Sequence, residues 1–262
     1  MGLKINWETK YSKINCNVKI LGLLAAEEET CRAYLVKRVM PRLIESDASE
    51  VLKQHIMELS STGFSCDNLL DQIQPSPKAK DWEIGEAFAA TVLEDEHEAM
   101  FPWPTAFDKR MPKASLPGAD LVGFHRYIDT RFVFGQVKST SEKRTPPQIV
   151  STANDCLKKQ MFELRHNQSI RQQLLSWLLV RTKDNKWEAA FNEALERYSN
   201  NDVWLVGVLV NGDRQPSESD LSGICADLEH NPGYGEVQLM GFYIPFHKDE
   251  WVNIVYSEET NQ

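Results

Sequence analysis

The sequence has no Cys-x-x-Cys pair, no histidines at metal-ligand spacing, no glycine-rich phosphate loop and no long apolar run. Each absence removes a class. Five scattered cysteines (Cys16, Cys31, Cys66, Cys156 and Cys225) make neither a disulfide framework nor a structural zinc site. Without Gly-x-x-x-x-Gly-Lys or Gly-x-Gly-x-x-Gly, nucleotide hydrolysis and dinucleotide chemistry have no support. No apolar stretch approaches the roughly 20 residues that cross a bilayer, so no membrane partner is expected. The first residues, "MGLKINWETKYSK", lack the apolar core of a signal peptide, which predicts a cytoplasmic protein. A global basic surface is missing too, since the net charge is −9.

What is present is an ordinary globular composition, 42% apolar and 26% charged over 262 residues. The acidity is local, in "AEEET" and "LEDEHE". Between Lys138 and Arg171 the balance reverses through Lys143, Arg144, Lys158, Lys159 and Arg165, so phosphate contact is expected there if anywhere. Residues 16–24 read as a strand, and Glu27 to about Leu59 as helices broken at Pro41 and near "SDASE". "QPSPKAKD" reads as a linker, followed by a helix from Asp81 to about His97. "MFPWPTAFDKRMPKASLPG" has four prolines in 19 residues and reads as an irregular loop, its aromatics able to stack on bases or to pin the loop. "ADLVGFHRYIDTRFVFGQVK" reads as a hairpin, residues 150–200 as two or three helices, and "VWLVGVLV" as the central strand of a covered sheet. "EVQLMGFYIP" and "WVNIVYS" read as later strands. The expected fold is α/β, a mixed sheet flanked by helices over residues 76–262, with a mainly helical addition over residues 1–75.

The hairpin carries the chemistry. Side chains alternate faces along a strand, so Phe132, Phe134, Gln136 and Lys138 share one face. With a turn near residues 128–129, Asp120 falls opposite Gln136 and Lys138. A carboxylate, an amide oxygen and the Val137 carbonyl are hard oxygen donors of the kind Mg²⁺ takes while keeping waters. Lys138 beside such an ion suits orienting or deprotonating a water, or neutralising a phosphoryl transition state. Upstream, Glu86 supplies a further carboxylate beside Ala89 and Ala90, small neighbours that permit close approach to a sheet; Glu83 and Glu94 are weaker candidates. His97, His125 and His166 have no identifiable partner.

A helix Glu, "GAD" leading one strand and "GQVK" ending the next together resemble the PD-(D/E)XK nuclease superfamily over roughly residues 80–210. The resemblance implies a restriction-endonuclease-like core with Mg²⁺ or Mn²⁺ held at the hairpin. It assigns Asp120 to the first-strand acid, Gln136 to the second acid position, Lys138 to the catalytic lysine and Glu86 to the helix acid. "Gly-Ala-Asp" stands where "Pro-Asp" is commonplace. Gln136 replaces Asp or Glu, as in the Gln-x-Lys branch that includes Mrr-type restriction enzymes, and removes one negative charge from the site. Gln160 stands where RecB-like members carry a Gln, without the Tyr that follows, and Gln148 is a further glutamine near the site. The resemblance implies DNA as substrate and a role in bacterial anti-phage defence or restriction. The long N-terminal part also resembles the small nuclease component of Hachiman-type systems, which works beside a helicase. Two other readings stand beside this one: a catalytically decayed nuclease-fold subunit that binds DNA or protein, and an unrelated α/β protein whose hairpin polar residues are structural.

Overall fold

The computed structural model describes residues 3–15, 18–45, 48–60, 67–70, 78–103, 118–126 and 128–257. Among the described residues seven strands form one mixed sheet: β1 (Trp7–Asn15), β2 (Val18–Ala25), β3 (Ala99–Met100), β4 (Leu121–Arg126), β5 (Thr130–Thr140), β6 (Trp204–Gly212) and β7 (Glu236–Ile244), in the order β1-β2-β7-β6-β5-β4-β3. β2, β7, β6 and β5 are parallel neighbours, and both ends of the sheet are closed by antiparallel pairs. The expected α/β class and the flanked mixed sheet are both present, with β6 in the middle and every residue of it buried.

Helices cover both faces. One layer holds α1 (Glu28–Tyr34), α2 (Met40–Glu45), α5 (Asp81–His97) and α11 (Trp251–Val255), packed on Val133, Val137, Val206, Val208 and Phe242. The other holds α6 (Gln148–Ser151), α7 (Leu157–His166), α8 (Gln168–Thr182), α9 (Glu188–Ser199) and α10 (Ser222–His230), packed on Val122, Phe124, Phe132, Phe134, Leu205 and Leu209. Two further helices, α3 (Ala48–Ser60) and α4 (Asp67–Leu70), complete the N-terminal part.

Several sequence expectations change. The sheet runs across the boundary drawn at residue 75, because β2 pairs with β7 over Val18–Val237 to Leu24–Tyr243 and β1 pairs with β2. The helical character of the N-terminal part holds only after residue 27. Pro41 does not break its helix: a π segment, Leu35–Val39, precedes it, and Met40 N–H bonds back five residues to Leu35. The widened turn accommodates a ring that would clash in a regular α-helix. "WVNIVYS" is helix α11 rather than a strand. The Glu250 carboxylate accepts from His247 N–H at 2.9 Å to start the turn, and Trp251, Ile254 and Val255 are buried at helical spacing. Residues 74–77 and 104–117, the cores of the linker and of the proline-rich loop, lie outside the described residues, as do Cys16 and Cys66.

Candidate active site

Antiparallel pairing of β4 with β5 sets Leu121 opposite Gly135 and Val122 opposite Phe134. That register carries Asp120 to the position across from Gln136, on the face that Val122 and Phe124 share. The Asp120 amide donates to Gly135 O at 2.8 Å, and its Oδ2 accepts from Val137 N–H at 2.8 Å. The hairpin thus ends with a carboxylate clasped across the outgoing strand. The Val137 carbonyl points to the same strand edge as its N–H, as the two groups of one strand residue do.

Gln136 is buried, and its Nε2 donates to Gly118 O at 2.7 Å. This fixes the amide orientation and leaves Oε1 as its atom for a cation. Gly118 makes the contact possible: its φ of 109° lies in the region that favours glycine. Lys138, on the same face, is mostly covered and lies 3.4 Å from the Asp155 carboxylate, itself 70% exposed. Such a half-open pair is weak and easily exchanged.

Glu86 sits in the other layer. Its neighbour Gly85 faces β5 so closely that a Cβ there would lie 1.8 Å from Ser139 Oγ. Helix α5 is therefore laid flat on the Val137 and Ser139 side of the strand end, whereas Gln136 and Lys138 face α7. The helix acid approaches from the opposite face of the strand whose end holds the other three.

The phosphate strip expected from the charge pattern contracts. Arg165 donates to Leu228 O at 2.7 Å, and Arg171 donates to Leu164 O and Arg165 O at 2.9 and 2.7 Å and lies over the Tyr234 ring. Both arginines are buried and hold helix ends. Lys158 pairs with Asp227, and Lys159 donates to Asn154 O. Lys143 and Arg144 are exposed. Gln160, on α7, has a buried Oε1 without a hydrogen-bond partner, whereas the Gln148 backbone N–H is spent on Glu142 at 2.7 Å. Trp103 makes T-shaped contacts with Phe124, Trp177 and Trp187, which anchor it on the α8–α9 side of the sheet.

Residues without a sequence signal lie beside the site. Asp155 comes from the loop between α6 and α7. Arg214 and Asp220 form an ion pair of 3.2 Å with the Asp220 side chain wholly covered. Burial pushes the Asp220 carboxyl up, against the pull of the Tyr243 hydrogen bond at 2.9 Å and the Arg214 charge. Asn211, between the ends of β5 and β7, is fully buried with both amide atoms unpartnered.

The donor chemistry suits a hard ion: one carboxylate, one amide oxygen and one backbone carbonyl at a single strand end, with Glu86 from the other layer. Among the described residues no group of three or more His, Cys, Asp or Glu is placed to hold a metal. Any ion here would keep most of its shell as water. No family model, no curated protein and no solved structure matches the chain. Among the described residues no helix is long and apolar enough to cross a membrane.

Proposed function

We propose that the chain is a metal-dependent DNA nuclease of PD-(D/E)XK type acting in the cytoplasm. The observation that carries the reading is the clasp: a pairing register that brings Asp120 over the Val137 amide, with Gln136 and Lys138 on the same face. Asp120, Gln136 Oε1 and the Val137 carbonyl would hold a Mg²⁺ or Mn²⁺ ion, with Glu86 supporting it or a bound water. Such an ion, when bound, neutralises phosphate charge and lowers the pKa of its water. Lys138 holds the attacking water or meets the charge that develops on the phosphoryl oxygens. The Gln136–Gly118 hydrogen bond engages the amide nitrogen, so the amide oxygen is the atom Gln136 would offer to such an ion. Asp120 would serve as ligand while it accepts from the strand amide of Val137.

A net charge of −9 gives the protein little long-range attraction for DNA, so a helicase or another partner is proposed to deliver the substrate in a defence or restriction setting. The test is cleavage of supercoiled and linear DNA with Mg²⁺ and Mn²⁺, comparing the wild type with Lys138→Ala and Asp120→Asn after checking that all are folded. Loss in both variants supports the assignment, and equal cleavage by all three proteins removes it.

A second reading, a decayed nuclease-fold subunit, is favoured by two observations: the neutral Gln136 and the Lys138–Asp155 pair. Calorimetric Mn²⁺ titration separates the two. Binding that Asp120→Asn abolishes supports the enzyme, and no binding supports the decayed subunit.

A further inference from the structure

The turn that follows β5, residues 141–147, is fastened far more heavily than a short surface loop needs. Thr140 Oγ1 accepts from Glu142 N–H at 3.0 Å, Glu142 accepts from Gln148 N–H at 2.7 Å, and Ser141 Oγ accepts from Lys248 N–H at 2.8 Å. The main fastening is Arg214. Its guanidinium donates to Glu142 O at 3.1 Å, to Arg144 O and to Thr145 Oγ1. The Nη2 that meets Thr145 also pairs with Asp220, whose second oxygen accepts from Tyr243, itself hydrogen-bonded to Tyr11 at 2.8 Å. A nearly covered arginine and a covered aspartate are thus committed to holding three points of one turn. Taking two charges out of water is costly, and the planar fork of arginine is suited to fixing backbone shape.

What this turn presents is charge. Lys143 and Arg144 are exposed, and neither makes an ion pair among the described residues. They differ in this from Lys158, Arg165 and Arg171, all spent on protein partners, and from Lys138, which lies against Asp155. The turn also stands at the carboxyl end of a parallel strand, the end at which open α/β sheets receive ligands, and begins three residues after Lys138. Side chains on a rigid turn lose less freedom on binding than side chains on a mobile one.

We propose that residues 141–147 form a preorganised contact loop for the DNA backbone, with Lys143 and Arg144 touching phosphates and Arg214 as the positioning residue that holds them. The proposal rests on the nuclease reading for its choice of DNA. Its test is DNA binding in EDTA, which needs no hydrolysis. A fluorescent DNA duplex is titrated at several salt concentrations with wild type, Lys143→Ala/Arg144→Ala, Arg214→Lys, and the combination of all three changes. Arg214→Lys keeps the charge opposite Asp220 and loses the fork; Thr145→Val, which deletes one acceptor of that fork, is the second variant should the first fail to fold.

The expected result is that Lys143→Ala/Arg144→Ala lowers the slope of log K against log salt by roughly 1.8, about 0.9 for each phosphate contact. Arg214→Lys weakens binding about tenfold in the wild-type background and changes it little once Lys143 and Arg144 are gone, because the three act as one unit. Equal weakening by Arg214→Lys in both backgrounds overturns the positioning role. An unchanged salt slope in Lys143→Ala/Arg144→Ala, or no duplex binding by the wild type at low salt, overturns the contact loop. Cleavage by a protein whose loop variants bind normally defeats this inference alone. Loop-dependent binding without cleavage in Mg²⁺ or Mn²⁺ defeats the nuclease reading alone.

Discussion

Gly85→Ala puts a methyl group where Ser139 already stands. The new Cβ would lie 1.8 Å from Ser139 Oγ, 2.9 Å from Ser139 Cβ and 3.4 Å from the Trp251 ring. Rotating the hydroxyl relieves only the first contact. The second is set by the backbone separation of α5 and β5, so the layers must part. Overpacking of this kind costs about 1–3 kcal/mol, whereas Gly→Ala inside a helix gains about 1 kcal/mol. The wild-type background should therefore show a net loss of about 1 kcal/mol. Ser139→Gly removes both offending atoms, and in that background Gly85→Ala should become stabilising by up to about 1 kcal/mol. The cycle coupling is then about 2 kcal/mol, readable by urea denaturation of the four proteins. The same separation moves Glu86 away from the strand end, so metal binding should weaken in Gly85→Ala and recover in the double variant. A destabilisation of equal size in both backgrounds would refute the steric argument. So would stabilisation in the wild-type background.

Burial of His125 and the Arg131 charge beside it hold its imidazole down at about 4, from an ordinary 6.5. The unfolded chain takes up that proton first, so stability is complete above about pH 6.5 and falls as pH drops toward 4. The fall is about 3 kcal/mol at 1.36 kcal/mol per pKa unit, and denaturant melts of His125→Phe should show a shallower acid limb. Gly118→Ala forces a side chain to a φ of 109° with its Cβ 2.8 Å from Ile170, costing about 2 kcal/mol or more and loosening Gln136; thermal melts and Mn²⁺ titration should move together. Asp220→Ala leaves the Arg214 guanidinium without its carboxylate and should cost about 3–5 kcal/mol by urea denaturation, while Asp220→Ala with Arg214→Leu should recover much of it. Ser139→Ala deletes a buried hydroxyl that has no partner, and its urea midpoint should match or exceed that of the wild type.

The most strongly patterned segments are legible in the amino-acid sequence itself. Helix α5 spans the Asp81–His97 expected, and the apolar run at residues 203–210 is the central strand because a strand covered on both faces needs apolar residues at every position. The hairpin register, and with it the partnership of Asp120 and Gln136, follows from alternation together with a turn placed near residues 128–129. β1 escapes for a physical reason. A bulge between Thr9 and Tyr11 switches faces, so Trp7 enters one core layer and Tyr11 the other, and no period of two survives. The apolar, β-branched composition of residues 251–257 hides a helix whose start is written in His247 and Glu250. Arg165 and Arg171 resemble a phosphate strip because a sequence does not say which cations meet carbonyls. Asp155, Arg214 and Asp220 carry no pattern: long-range folding alone brings them beside the strand end.

The place of β7 in the sheet has a consequence for the newborn chain. β2 and β6 are bridged only by β7, and Val18 meets Val237 across more than two hundred residues. During synthesis the first hairpin leaves the ribosome with its inner edge bare and must wait for residue 244 before the sheet closes. At 5–20 residues per second that is roughly ten to forty seconds, during which β2 shows unpaired amides and apolar side chains. A message truncated between β6 and β7 therefore releases two half-sheets that cannot meet, each a ready template for pairing with other chains.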